Sequence, residues 1–219
     1  MFAYPKQTLF RRVLPKNKIY AHTKASRTLQ ARFVDQVVKI TWLYKLAPET
    51  LNIPASKAVQ EIQVFEIQLK QQALHEDLLR AIDRTIRHPI AYILRAGDQT
   101  RFVMPTKRIS EANANKCVIG EYFWTDWQAT TAIPTMPLPV ALNIGTLYEH
   151  LLRAHLGLPA REDESLTAHV ERVGTLQQKQ REAAQLEARL HKTKQFNRKV
   201  ELNQQLRTLK SDIETLYKG

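Results

Sequence analysis

Cysteine and glycine are scarce in this sequence, and their scarcity excludes several classes of site. Cys117 is the only cysteine, so the chain has no internal disulfide, and no Cys or His spacing typical of zinc sites is present. With six glycines, the chain contains no Walker A loop and no GxGxxG or GxSxG motif. We therefore predict no metal site, no cofactor and no nucleotide-dependent enzyme, and we expect Cys117 to be a buried strand residue.

Long apolar runs are also missing. No stretch of about 18 apolar residues is present, which argues against a membrane-spanning helix, and the first ten residues lack the apolar core of a signal peptide. We therefore expect a soluble, cytoplasmic protein that makes no membrane contact.

Positive charge is abundant and unevenly distributed. The net charge is +12, and the first 50 residues contain ten Lys or Arg but only two acids, Asp35 and Glu49. Such a concentration attracts polyanions such as nucleic acid, although a solvated basic surface gives the same composition.

The apolar patterns predict an α+β fold in which a mostly antiparallel sheet packs against helices. Alternating residues predict strands at 39–46 and 61–70, the second with a bulge at Phe65–Glu66, and a hairpin turning at Gly97–Asp98. Helical spacing predicts helices at 24–38, 74–86 and 143–157. We divide the chain into a basic α+β body (1–128), a proline-rich connector with a short helix (129–160) and a helical, coiled-coil-like segment (161–219).

The C-terminal segment has the pattern of a long helix. Its apolar residues recur at alternating spacings of four and three, at Leu202, Leu206, Leu209, Ile213 and Leu216. This stripe needs a cover, either from another chain or from the preceding helix folded back. The absence of a Gly, Pro or Asn cluster favours a continuous helix, and hence a homodimer or hetero-oligomer, with Asn197 setting the register.

Several stretches of the chain resemble an uncharacterised bacterial family, a domain of unknown function often encoded beside restriction-modification and helicase genes. The resemblance is carried by Pro5-Lys6, Leu14-Pro15-Lys16, ITWLYKLAPETLNI (40–53), EIQVFEIQLK (61–70), Ile82-Asp83 with His88-Pro89-Ile90, EYFWTDW (121–127) and KQFNRKVELNQQLRTLK (194–210). It implies a role in phage defence or DNA metabolism and a helicase- or methyltransferase-type protein partner, but no catalytic residue.

Two groups of cations are candidate nucleic-acid contacts. The first is Arg11, Arg12, Lys16, Lys18 and Lys45, near the aromatic residues Tyr20, Trp42 and Tyr44, of which Trp42 and Tyr44 are expected to be core residues on one strand face. The second is Lys192, Lys194, Arg198 and Lys199, which pair at helical spacings of seven and four.

The strand at 61–70 suggests an alternative, catalytic interpretation. Metal-dependent nucleases place an acid and a lysine two residues apart on a strand, and Gln68-Leu69-Lys70 is a weak variant of that pair, with Glu61 and Glu66 as nearby carboxylates. We therefore predict a non-enzymatic accessory subunit that binds nucleic acid or a nucleic-acid-processing partner, with a metal-dependent nuclease as the alternative.

Overall fold

The computed structural model describes residues 1–109 and 117–218. The chain forms two compact units, Met1–Gly157 and Leu158–Gly219. The first unit is built around a mixed, mostly antiparallel sheet and the second is helical, so the predicted α+β class with a helical C-terminal segment is confirmed. The proline-rich connector and the helix that follows it belong to the first unit.

The first unit contains strands of two to eleven residues and α-helices of four to twelve residues. The strands are β1 (Phe2–Ala3), β2 (Leu9–Val13), β3 (Val37–Leu46), β4 (Ile62–Leu69), β5 (Ile90–Ala96), β6 (Gln99–Ile109), β7 (Cys117–Trp124), β8 (Gln128–Ala129) and β9 (Met136–Pro137). The α-helices are α1 (Lys16–Thr23), α2 (Arg27–Gln36), α3 (Pro48–Leu51), α4 (Glu76–Thr85) and α5 (Ile144–His155).

The main sheet has the strand order β2-β3-β4-β5-β6-β7, with β8 paired to β6. Its neighbouring strands are antiparallel except β4 and β5, which run parallel because α4 carries the chain back between them. The predicted hairpin between β5 and β6 is confirmed, and Gly97 at its turn has the positive φ of 59° that glycine adopts without strain.

One face of the sheet, here called the helix face, packs against α1, α2 and α4. Its core joins Phe65 and Ile67 of β4 and Tyr92 of β5 to Leu79 and Ile82 of α4. Ser26 caps α2, accepting a hydrogen bond from the backbone N–H of Leu29 at 3.2 Å. Ala91 and Ile93 alternate with Tyr92 and therefore lie on the opposite face.

The bulge predicted at Phe65–Glu66 is wrong. Both residues pair in regular register with β5, and the irregularities lie on β3, one between Val37 and Lys39 and one between Trp42 and Tyr44. The strict alternation of β4 fails for another reason: this central strand is buried on both faces, with Val64 and Phe65 each 1% exposed or less.

The bulge on β3 also corrects the prediction that Trp42 and Tyr44 share a strand face. Trp42 pairs with Phe65 and joins the core of the helix face, whereas Tyr44 pairs with Val64 on the other face and stacks on Tyr4 with ring centroids 4.4 Å apart. Cys117 begins β7 and is half-buried rather than buried.

A buried ionic network links α4 to β6. The Asp83 carboxylate accepts hydrogen bonds from the hydroxyls of Tyr92 (2.8 Å) and Tyr122 (2.7 Å), and from the Lys107 ammonium at 3.0 Å. Lys107 also donates to the carbonyls of Asp83 and Ile86. The Asp83 and Lys107 side chains are 0% and 1% exposed, so the network satisfies two charges that burial would otherwise penalise heavily.

The second unit is a helical hairpin of α6 (Leu166–Lys192) and α7 (Phe196–Lys218). The expectation of one continuous helix is wrong, because the chain turns back at residues 193–195. Along the seam, Ala183 and Leu186 of α6 pack against Leu206, Leu209 and Ile213 of α7. The apolar stripe is therefore covered by the preceding helix, which was one of the two covers considered from the sequence.

Within the described parts of the chain, no helix has the combination of length and hydropathy that crossing a bilayer requires.

Candidate nucleic-acid interface

The turn of the helical hairpin closes without glycine or proline. Thr193 ends α6 by donating its backbone N–H to the Arg189 carbonyl at 3.0 Å and its hydroxyl to the same oxygen at 2.9 Å. Three residues, 193–195, suffice to reverse the chain, and the ion pairs Lys179–Asp212 (2.7 Å) and Lys210–Glu187 (2.8 Å) then hold the two helices side by side.

The hairpin tip, defined here as residues 188–200, concentrates positive charge. It contains five Lys or Arg and one His but no Asp or Glu. All five cations are exposed: Arg189, Lys192, Lys194, Arg198 and Lys199. Four of them belong to the second predicted group of contacts, so the structure brings that group together on one small surface.

Among the cations of the tip, only Arg198 forms an ion pair with a described acidic residue. Arg198 pairs with Glu201 at 2.5 Å, one turn into α7. Lys192, Lys194 and Lys199 form no ion pair with any residue that the structure describes. These three ammonium groups are therefore available to a phosphate backbone.

Exposed apolar side chains stand among these cations. Phe196 is 78% exposed at the start of α7, and Val200, one turn later, is 50% exposed. A shallow groove at the tip is lined by Arg189, Lys192, Thr193, Arg198 and Leu202. The tip thus offers charge for phosphates and an aromatic ring for a base.

Asn197 is exposed at the tip and is not on the buried seam. Its predicted role in setting an oligomer register depended on a seam position, which the turn at 193–195 removes. Of the stripe itself, Leu202, Leu206 and Leu209 are buried, and Ile213 and Leu216 are half-buried.

The first predicted group of cations divides in two. Arg11, Arg12 and Lys18 are exposed, with the Arg12 guanidinium 4.6 Å from the centroid of the Phe10 ring. Arg11 has a positive φ of 52° at the irregular pairing of β2 with β3. These three residues, here called the N-terminal cations, form a second candidate surface on the first unit.

Lys16 and Lys45 are engaged within the protein. The Lys16 ammonium donates to the carbonyls of Phe33 (3.1 Å) and Val37 at the end of α2, and burial, with a contribution from Lys70, lowers its pKa. Lys45 pairs with Glu49 at 2.5 Å and Glu61 at 3.4 Å, and the hydrogen bond that it donates to Glu49 is the largest cause of its raised pKa.

The residues of the nuclease alternative do not converge. Glu61 lies at the start of β4 with Lys45, whereas Glu66 pairs with Arg95 of β5 at 2.7 Å. Gln68 and Lys70 are exposed at the far end, and nine residues of extended chain, roughly 30 Å, separate Glu61 from Lys70. In residues 1–109 and 117–218, no three His, Cys, Asp or Glu side chains are grouped closely enough to hold a metal ion.

Sequence reasoning missed Phe196 and the structural role of Lys16. For Phe196 a signal was present, because this aromatic residue lies between basic residues and outside the apolar stripe that begins at Leu202. For Lys16 the sequence contained no such signal, because its hydrogen-bond acceptors lie 17 and 21 residues away and become neighbours only in the folded chain.

The chain was compared with protein families, with curated proteins and with solved structures. Neither the curated proteins nor the solved structures include a match to the chain. The model of the family described as Domain of unknown function (DUF4391) matches residues 2–213, so the chain belongs to that family.

Proposed function

We propose that this protein is a non-enzymatic accessory subunit that binds nucleic acid through the tip of its helical hairpin. The observation that carries the proposal is the tip's composition and exposure: five exposed cations in thirteen residues, with no acid among them. Neutralising phosphates with such a cluster releases condensed counterions, which is the main source of affinity for nucleic acid that is independent of sequence.

Helix electrostatics supply a second argument. Cations in the last turn of α6, such as Arg189 and Lys192, are stabilised by the negative end of its dipole. Lys194 instead lies just before α7 and Lys199 lies in its first turn, where the dipole is positive and no acid compensates. These cations are unfavourable for the isolated helix, and a bound polyanion would relieve their repulsion.

The exposed ring of Phe196 indicates which form of nucleic acid the tip prefers. A phenyl ring that is 78% exposed stabilises neither helix through packing. In a single strand the bases are free to stack on such a ring, whereas in a duplex they are stacked on one another. We therefore propose single-stranded nucleic acid as the preferred ligand.

The resemblance noted from the sequence extends this proposal to a cellular setting. Proteins that handle single strands work beside helicases and other nucleic-acid enzymes, so a helicase- or methyltransferase-type partner and a role in phage defence fit the proposed activity. The N-terminal cations provide a further surface for phosphate or for an acidic partner.

The proposal is tested by measuring binding to labelled single strands and duplexes over a range of salt concentrations. The tip variant replaces Lys192, Lys194 and Lys199 with Gln. Because each phosphate contact contributes about 0.7 to the salt slope for single strands, we expect the slope to fall by about two and the affinity at low salt to fall at least tenfold.

The matched control replaces Lys179, Lys210 and Lys218 with Gln in the same hairpin. These three lysines are paired with Asp212, Glu187 and Glu214, so the change in net charge is identical but no available cation is lost. We expect this control to bind with nearly the wild-type salt slope. Equal losses in the two variants would show that only net charge matters, and a wild-type protein that binds no nucleic acid at low salt would overturn the proposal.

A further inference from the structure

A cavity of about 190 Å³ lies in the first unit, on the face of the sheet opposite the helix face. Its floor is formed by Ala91 and Ile93 of β5 and Phe102 of β6, and α5 contributes His155 to one wall. The opposite side is closed by Tyr4 and by the proline-rich connector around Ile133. This cavity takes no part in the proposed nucleic-acid interface.

The position of His155 on helix α5 directs its side chain toward this apolar cavity. Its buried residues are Ile144, Leu147, Tyr148, Leu151, Leu152 and His155, which recur at the three- and four-residue spacing of a single helical stripe. His155 occupies the last position of that stripe and is 8% exposed. A leucine at this position would complete the apolar lining, so the imidazole introduces a polar group where packing does not require one.

The hydrogen bond that His155 makes defines its tautomer. Nδ1 lies 2.6 Å from the Leu151 carbonyl oxygen, which only accepts, so Nδ1 carries the proton. Burial lowers the pKa of His155, which keeps the ring neutral near pH 7. Nε2 is therefore an acceptor, and no described residue donates a hydrogen bond to it.

We infer that the cavity binds a small, mostly apolar molecule, aromatic or aliphatic, that donates one hydrogen bond to Nε2 of His155. The volume fits one ring, since benzene occupies an engineered apolar cavity of about 150 Å³. The Phe102 ring, 6.4 Å from the imidazole and nearly perpendicular to it at 81°, supplies an aromatic surface beside the acceptor. The lining is otherwise uncharged, and the Met1 ammonium that it includes already donates a hydrogen bond to the Pro134 carbonyl at 2.6 Å, so the inferred ligand is neutral.

Phenol and toluene are matched probes, because they have nearly the same shape and differ in the hydroxyl donor. We expect calorimetry on the full chain to show phenol binding about tenfold more tightly than toluene, the value of one net hydrogen bond. Phenol, but not toluene, is expected to move the Nε2 resonance of His155 in NMR spectra. Equal affinities, an Nε2 resonance that phenol leaves unchanged, or no binding of either probe would each overturn the inference.

Two variants test the location. His155→Phe keeps an aromatic wall but removes the acceptor, so we expect toluene to bind and the preference for phenol to disappear. Ala154→Trp adds bulk at an exposed lining position, where a substitution disturbs folding least, and should weaken both probes. If His155→Phe does not fold, the Ala154→Trp variant and the NMR measurement on the wild type still decide. A preference for phenol that survives in His155→Phe, or unchanged binding in Ala154→Trp, contradicts the assignment.

Discussion

Arg172 donates hydrogen bonds to both carboxylate oxygens of Glu164, each at 2.7 Å, and the two side chains are 6% and 8% exposed. The same guanidinium donates to the carbonyls of Pro159 at 2.9 Å and Leu216 at 3.2 Å. One arginine of α6 thus joins the segment that precedes the hairpin to the C-terminal end of α7. This end of the hairpin is held by a specific network, whereas the basic tip is not.

This pair makes the stability of the hairpin depend on pH. Hydrogen bonds from Arg172 lower the pKa of Glu164 from 4.5 to about 2. Because the folded-state pKa is the lower one, the stabilisation is complete above about pH 4.5 and is lost as the pH falls through about 2. We expect Glu164→Gln to speed amide exchange in α6 and α7 of the full chain at neutral pH, with the difference shrinking as the pH approaches 2.

Glu214→Gln is the matched control for Glu164→Gln. Glu214 also pairs with a cation in the hairpin, Lys218, but at 3.3 Å and with both side chains more than two-thirds exposed. Such pairs contribute little, so this variant should exchange like the wild type at every pH. An effect of Glu164→Gln that is as large near pH 2 as at neutral pH would contradict the assignment.

The second prediction concerns the buried pair of Asp83 and Lys107. Asp83→Asn leaves the Lys107 ammonium, 1% exposed, without a counter-charge, which costs about 3 kcal/mol or more in the free energy of unfolding. Glu66→Gln, at the half-exposed pair with Arg95, should cost at most about 1 kcal/mol. Chemical denaturation of the full chain measures both values, and similar costs for the two variants would show that the buried network is not the stronger one.

Local patterns predicted many of the strands and helices, because the signals for each element lie within a few residues of each other. The Gly97–Asp98 turn, the Ser26 cap and the amphipathic pattern of α4 each suffice to identify an element. The bulge on β3 was not predictable in this way. It arises where Trp42 packs on Phe65 on one face of the sheet while Tyr44 stacks on Tyr4 on the other, and neither contact is visible in the strand's own sequence.

Two features were not visible in the sequence for related reasons: the turn of the hairpin and the internal partners of two predicted cations. The turn at 193–195 uses Thr193 side-chain and backbone donors instead of glycine or proline, so no breaker marks it. The apolar residues Ala183, Leu186, Leu190 and Val200 precede the stripe in a different register. That change of register was the available signal, and it also fits a stutter in a continuous helix. Among the predicted cations, Lys16 and Lys45 bind carbonyls and carboxylates of distant or facing residues, which charge counting does not detect.

The third prediction concerns the seam of the hairpin. Leu206 is 8% exposed and packs in the cluster formed with Ala183 and Leu209, so Leu206→Ala should cost about 2 to 3 kcal/mol. Val200→Ala, at a residue that is 50% exposed on the same helix, should change stability by less than about 0.5 kcal/mol. Amide exchange in α7 compares the two, and equal effects would mean that α6 does not cover the stripe.

The last prediction, which depends on the proposed function, separates the aromatic contact at the hairpin tip from the charges around it. Phe196→Ala removes the exposed ring and no charge, so the salt slope of binding should not change. Because stacking of one base on an aromatic side chain is worth about 1 to 3 kcal/mol, affinity for single strands should fall by roughly tenfold or more, while duplex affinity should hardly change. Phe196→Trp should retain single-strand binding, and Val200→Ala is the control for loss of exposed apolar surface at the same tip. A Phe196→Ala protein that binds single strands as tightly as the wild type would show that the ring does not stack on bases. The proposed preference for single strands would then be wrong, even if the lysines of the tip still bind phosphate.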